Sequence, residues 1–570
     1  MRRLHLLLTI IIFLTISSVV RAIPADPTPV KVQQPDGSSV TLVLRGDEWL
    51  HFNTTEDGYT VVKNNEGYYV YALKDGGQLI PSLVVAHDAK DRQSEEVAFL
   101  AGITKYQVPP MSEENRQKMK ERNHRRQVKL NATRRNAKHA YDNFRGLVIL
   151  VEFNDMKFSR DDYKEIMNDM INKKNYTGYD NEQFTGSMRD YFYDNSNGKF
   201  DPQFDIAGPY TVNYSQYDGS TRSASIMRAA VDSADVDVNF KDYDLDGDGT
   251  VDVLYFLFAG YAANFNGNDE RLLWPHEHSL IQYNTNKDDV RMGTYSCSTE
   301  LYGWTSSPSS IKINGIGTMC HEFSHALGLP DFYDTTYSNI SNPRGWSVMA
   351  GGNSNNYGRN PVGYSLYERW ALGFCDEPET ISTVGDYTLP PLFQEQKGYR
   401  INTPNENEYF LLENRQNNLF KWDSELPASG MLVFRVDRSD LKPWNNNTVN
   451  DDSTHLCYEL IRANGGKETS AKDVFPGKGN YIQTTLSNYT SPAHLKTWDG
   501  KDNDFALTDI QMNNNIITFH LTDYTEAVIP AIKMNDRETA SGNCYNLHGQ
   551  RVSDNYKGLV IVNGKKVMKK

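Results

Sequence analysis

Two histidines four residues apart with a glutamate between them, in His321-Glu322-Phe323-Ser324-His325, are the residues of this chain best suited to chemistry. On a helix that spacing sets the imidazoles about 40° apart around the axis, on one face, where both can grip one ion. Neutral imidazole suits zinc, and a catalytic zinc needs only three protein ligands so that water keeps the fourth position. Glu322 lies beside His321 rather than on that stripe, so its carboxylate can reach a water activated by the metal and act as general base. Gly328 can adopt a left-handed conformation, ending the helix and turning the chain back. Leu329-Pro330 forbids helix continuation, so Asp331 can project a carboxylate as the third ligand. Glu368, in Tyr364-Ser365-Leu366-Tyr367-Glu368-Arg369-Trp370, competes for that place, since some zinc sites draw their third ligand from a second helix.

A second cation site is expected in Asp244-Leu245-Asp246-Gly247-Asp248-Gly249-Thr250-Val251-Asp252, where oxygen ligands alternate and Gly249 permits a sharp turn. Asp244, Asp246, Asp248, Thr250 and Asp252 would hold Ca²⁺ there, although Tyr255 stands where an EF-hand places its bidentate Glu. His276 and His278 could pass for a second metal pair, but no third ligand lies near them, and structural or cleft-lining roles are expected.

The elements that must position these groups begin at Gly146. Leu147-Val148-Ile149-Leu150-Val151 is a continuous apolar run, expected of a strand buried on both faces, and Val253 to Phe258 is a second. Helical stretches around Tyr163 to Ile171 and Ser223 to Val231 lie between them, giving a mixed α and β unit over 141–376. Upstream, Ser39 to Arg45, Tyr59 to Lys63 and Tyr68 to Leu73 are β-rich, with Asp36-Gly37, Asp57-Gly58 and Glu66-Gly67 as turn dipeptides, so a small β-meander is expected over 23–112. Residues 113–140 read as a linker: from Arg116 to Lys138 there are ten Lys or Arg and one acid, and Arg125-Arg126 and Arg134-Arg135 suit proteolytic cutting. Downstream, 377–525 reads as strand and turn, and 526–570 as a separate tail of tight hairpins, the second turning on Asn563-Gly564. The fold class is α+β.

Bulk properties narrow the function classes. At 570 residues several domains are expected, and 38% hydrophobic residues with 34 Tyr and 24 Phe suffice for real cores. A net charge of -14 repels a polyphosphate backbone, so nucleic acid is not an expected partner. Residues 1–22 read as a cleavable signal peptide, the apolar run from Leu6 to Val20 being shorter than the roughly 20 residues that a bilayer requires. Secretion or cell-surface display follows, with no integral membrane span. The five cysteines include no CxxC pair and suggest neither a disulfide framework nor a cysteine metal cluster.

The run from His321 to Asp334, HEFSHALGLPDFYD, followed by Gly345-Trp346-Ser347-Val348-Met349-Ala350-Gly351-Gly352, resembles the immune inhibitor A family of secreted metallopeptidases, which are metzincin-like zincins. Gly186-Ser187-Met188-Arg189-Asp190-Tyr191-Phe192, Trp274-Pro275-His276 and Glu413-Asn414-Arg415-Gln416 look like further landmarks, and the likeness reaches roughly from residue 28 to 440. The resemblance implies hydrolysis of peptide bonds in proteins with Zn²⁺, often with Ca²⁺, and a methionine turn at Met349 forming an apolar floor beneath the ligands. It makes 23–112 a β-rich pro-segment, which holds no cysteine, so a thiolate cannot be its inhibitory plug. Asp47 and His51 are groups there that could reach the metal. Tyr545 to Lys570 resembles the carboxy-terminal signals of proteins exported by the type IX secretion machinery. Two other readings stay open: a catalytically silent surface-binding protein on the same scaffold, and a gluzincin-like exopeptidase that uses Glu368.

Overall fold

The computed structural model describes residues 25, 29–47, 50–112, 141, 143–265, 269, 271–303, 312–336, 342–478 and 481–523, together with strand segments at 544–546, 551–552, 558–562 and 565–569. The leader 1–22 and the basic linker 113–140 fall outside them.

An amino-terminal antiparallel sheet runs in sequence order through β1 (Val30–Gln33), β2 (Ser39–Gly46), β3 (His51–Thr55), β4 (Thr60–Lys63), β5 (Tyr69–Asp75) and β6 (Gln78–Val85). A short helix, α1 (Ser94–Leu100), follows. Val40, Leu42, Val61, Tyr69 and Tyr71 form a small core of their own with Leu100. Leu44 instead joins Ala25 in a patch with Tyr261, Ala263, Leu272, Trp274 and Leu301, and the His51 ring lies 5.1 Å from that of Trp274.

The central sheet contains β7 (Arg145–Glu152), β8 (Gln203–Thr211), β9 (Thr250–Tyr261), β10 (His276–Ser279) and β11 (Val290–Tyr302), in the spatial order β8-β7-β9-β11-β10. The first four in that order are parallel, and β10 closes the path antiparallel to β11. The unbroken apolar runs in β7 and β9 have a simple cause, because both faces of these strands are covered. Leu147, Ile149, Val151, Leu254, Phe256 and Phe258 meet Ile226, Met227, Ala230 and Val231 of α4 (Gly219–Ala234). Val148, Leu150, Tyr255 and Leu257 point the other way, into a core shared with α2 (Tyr163–Asn172), α3 (Met188–Asn195) and α5 (Gly317–Leu327).

That second core does not stop where the helices end. β12 (Glu408–Arg415) and β13 (Gly430–Asp437) pair antiparallel, and Tyr409, Leu411, Leu432, Phe434 and Val436 face the same core as α5. The alternate residues Phe410, Leu412, Met431 and Val433 turn toward a second layer containing Leu507, Ile517, Phe519 and Leu521. Period-2 alternation thus lets one sheet serve two cores.

The tail, from residue 525, is a separate compact unit with strands at Cys544–Asn546, Arg551–Val552, Gly558–Val562 and Lys565–Lys569. Val562 pairs with Lys565, and Asn563-Gly564, where a tight turn is expected, lies outside the described residues. The chain is thus mixed α and β, with far more strand than helix. Among the described residues no helix is long and apolar enough to cross a membrane.

Candidate metal centre

Helix α5 carries the histidine pair with one face sunk in the core and its backbone tied to the sheet. Phe323 packs among the rings of Phe144, Phe192, Phe200 and Phe204, and Ser296 of β11 donates its hydroxyl to the Glu322 carbonyl at 2.9 Å. Gly328 ends the helix at φ +117, a value that side chains rarely tolerate, and its N–H reaches back to the Ser324 and His325 carbonyls. The chain then doubles back, so that the Leu329 carbonyl accepts a hydrogen bond from His325 Nδ1 at 2.8 Å.

His321 Nδ1 makes the matching bond to the Val348 carbonyl, also at 2.8 Å. With each Nδ1–H donated to a carbonyl, each Nε2 is left bearing a lone pair, and the ring orientations are fixed. Both Nε2 atoms converge on Asp331: they lie 3.1 Å from each other and 3.2 and 3.1 Å from its Oδ1. All three side chains are buried.

Three electron-pair donors in contact, shielded from water, repel one another unless a cation lies between them. Asp331 Oδ1 takes no hydrogen-bond donor among the described residues, as expected of an atom facing an ion. Tetrahedral bonds of about 2.1 Å would set neighbouring ligand atoms about 3.4 Å apart, close to the separations here. The donor set, two imidazoles and one carboxylate, fits zinc with one position open.

Glu368 stands elsewhere. It is buried at the start of α6 (Leu366–Ala371), where it accepts from Ser365 N at 2.6 Å in a reciprocal capping box and from the Ser347 hydroxyl. Ser347 Oγ in turn accepts from Met349 N at 3.0 Å. Met349 is fully buried, its carbonyl accepting from Phe332 N at 2.8 Å, so the turn around it is bonded to the loop that carries Asp331. Burial raises the Glu368 carboxyl, opposed mainly by the Ser347 and Ser365 bonds. Glu413 accepts from Leu366 N at 2.6 Å, and Arg415 joins Glu413 to Asp423, so the 413–416 run anchors this helix from β12.

In the acidic loop, Asp244, Asp246 and Asp252 come together. Gly247 and Gly249 both take positive φ, +73 and +82, and Gly249 N–H donates to Asp244 Oδ2 at 3.0 Å. Asp248 is exposed and outside this group, while Thr250 opens β9 with its hydroxyl 3.4 Å from Arg291. His276 is bound within the fold, Nδ1 at 2.7 Å from the Trp274 carbonyl and Nε2 at 3.0 Å from the Tyr295 hydroxyl. Asp47 caps its own turn by accepting from Leu50 N at 3.1 Å, and its carbonyl lies 3.0 Å from His51 Nδ1.

Sequence reasoning missed the far side of the site. Asn447, on a loop 116 residues downstream of Asp331, accepts from Asp331 N–H at 2.7 Å and donates to Asp331 Oδ2. No local signal marks it among Asn445-Asn446-Asn447.

Residues 144–370 match the family model described as immune inhibitor A peptidase M6, catalytic domain. The Pre-pro-metalloprotease PrtV of Vibrio cholerae serotype O1 is 26% identical over 231 residues, which cover 35% of this chain and 25% of that protein. Immune inhibitor A of Bacillus thuringiensis subsp. alesti is 26% identical over 249 residues, 36% of each chain. The chain therefore spans only a quarter to about a third of the length of these curated relatives. The resemblance read from the His321–Asp334 run is borne out for the matched segment.

Proposed function

We propose that this chain, whose residues 144–370 carry the peptidase M6 catalytic domain, is a secreted zinc-dependent endopeptidase of metzincin-like type acting on proteins. The observation that carries this reading is the convergence of His321, His325 and Asp331 on one point, beside the helix that also presents Glu322. Zinc held by those three would polarise the scissile carbonyl and acidify water. Glu322 accepts the proton of the attacking water on its carboxylate and passes it to the leaving amine nitrogen. Burial of the whole helix face strengthens every charge interaction made there. Met349 and Val348 form the floor, the latter's carbonyl fixing the His321 ring. Casein hydrolysis that a chelator abolishes and Zn²⁺ restores is the expected behaviour, and hydrolysis indifferent to chelation sinks the proposal.

The amino-terminal sheet is read as a pro-segment, supported by its apolar contact at Trp274, next to edge strand β10. Cutting within 113–140 would free the enzyme, with the leader 1–22 and the tail 526–570 directing export, the latter through type IX machinery. Fractionating producing cells and sequencing the amino terminus of the active species tests both ideas. The active protein is expected outside the cytoplasm and beginning at or after Arg116. An active form that starts upstream of that residue overturns the activation site, and confinement to the cytoplasm overturns export.

Asp244, Asp246 and Asp252 are read as a Ca²⁺ site, since three carboxylates converge on a turn built by two left-handed glycines. Added Ca²⁺ is expected to raise the thermal midpoint of the wild type and not that of Asp246→Ala. Equal shifts in the two proteins would count against the site.

A further inference from the structure

The loop that presents Asp331 is held within its own domain by Phe332 N–H on the Met349 carbonyl, and it is also held from outside that domain. Residues 447–451 run beside 331–335 and bond to it at three successive places. Asn447 grips Asp331 at both its N–H and its Oδ2. Asn450 Nδ2 donates to the Phe332 carbonyl at 2.8 Å. Asp451 Oδ1 accepts from Thr335 N at 2.7 Å and from the Thr335 hydroxyl at 2.8 Å. This strap is fixed in turn, because Tyr458 N donates to Asn450 Oδ1 at 3.0 Å and Cys457 N to the Val449 carbonyl, also at 3.0 Å. Asn447 and Asn450 are buried, and Asn447 holds φ +55, a left-handed value that Asn tolerates better than most residues.

We infer that the strap 447–451, outside the matched peptidase domain, completes the metal centre, with Asn447 as the residue that positions Asp331 toward the ion. A carboxylate can turn about its Cβ–Cγ bond and offer either oxygen. Holding Oδ2 and the backbone N–H together leaves one orientation, with Oδ1 toward the two imidazoles. The partner's chemistry matters as well. A Lys or Arg here would compete with the metal for the carboxylate's charge, whereas a neutral amide orients it and leaves the charge available.

This inference rests on the reading of Asp331 as a zinc ligand, so the test must separate the two. The full chain is stripped with a chelator and titrated with Zn²⁺ against a competing chromophoric chelator. Asn447→Gly accepts the positive φ and removes both bonds, while Asn447→Asp keeps the acceptor for Asp331 N–H and removes the donor. Both are expected to weaken zinc binding about 10- to 100-fold and to speed its release to EDTA. A merely structural strap would lower the unfolding midpoint of the zinc-free protein and leave zinc affinity alone. Wild-type zinc affinity in both variants therefore overturns the inference, even if their stability falls. Asp331→Asn is measured alongside. If it binds zinc as tightly as wild type, the ligand assignment fails and the inference with it; if it loses zinc while the Asn447 variants keep it, only the strap's role falls.

Discussion

Replacing Glu322 with Gln is expected to lower kcat/KM on casein by about 10³-fold, inside the range of about 10² to 10⁴ that a positioned general base supplies, while one zinc per chain is retained. The side chain is fully buried on α5, and Gln matches its volume, so no cavity opens and the helix stays packed. What disappears is a group able to take a proton, since an amide does not become protonated at neutral pH. The proposed ligands His321, His325 and Asp331 are untouched, so metal content separates loss of chemistry from loss of the site. Hydrolysis within tenfold of wild type would mean that the proton goes elsewhere and that Glu322 has been assigned the wrong role.

The second large effect is a contrast between two buried carboxylates. Asp331→Asn is expected to raise the zinc dissociation constant about 10³-fold, roughly 4 kcal/mol, because it replaces the anionic ligand by a neutral one between two neutral imidazoles. Glu368→Gln is expected to keep full zinc occupancy. Its oxygens are committed to Ser365 N and the Ser347 hydroxyl, and Gln can serve in a capping box. Equilibrium dialysis followed by metal analysis reads both variants. The reverse pattern, zinc lost with Glu368→Gln and kept with Asp331→Asn, would move the site to the second helix and revive the exopeptidase reading.

Much of this was legible because it is written locally. The i, i+4 histidines, the helix-ending Gly328 and the unbroken runs of β7 and β9 are patterns a few residues long, and each has a cause that acts over that range. Even the fate of Glu368 had a local sign, for Ser365-Leu366-Tyr367-Glu368 has the spacing of a capping box. Strand β11 was not singled out. Its sequence, VRMGTYSCSTELY, is nearly half Ser, Thr and charged residues, yet almost all of it is buried, so hydropathy conceals it. Asn447 was illegible for a different reason. Its bonds to Asp331 span 116 residues, and polar contacts at that range leave no periodic trace in one sequence. The same holds for the Glu413, Arg415 and Asp423 cluster, whose landmark residues Glu413 and Arg415 were visible while the bond from Glu413 to the start of α6 was not.

Four thiols, those of Cys297, Cys320, Cys375 and Cys457, are buried without a disulfide. Burial pushes all four up, Cys375 to about 11 and Cys457 to about 12, so little thiolate exists at these four positions at neutral pH. Oxidants and alkylating reagents attack the thiolate, and here they must wait until the chain opens. The four sulfurs would thus serve as a clock of unfolding, silent while the interior stays shut and readable by mass as each is labelled in turn.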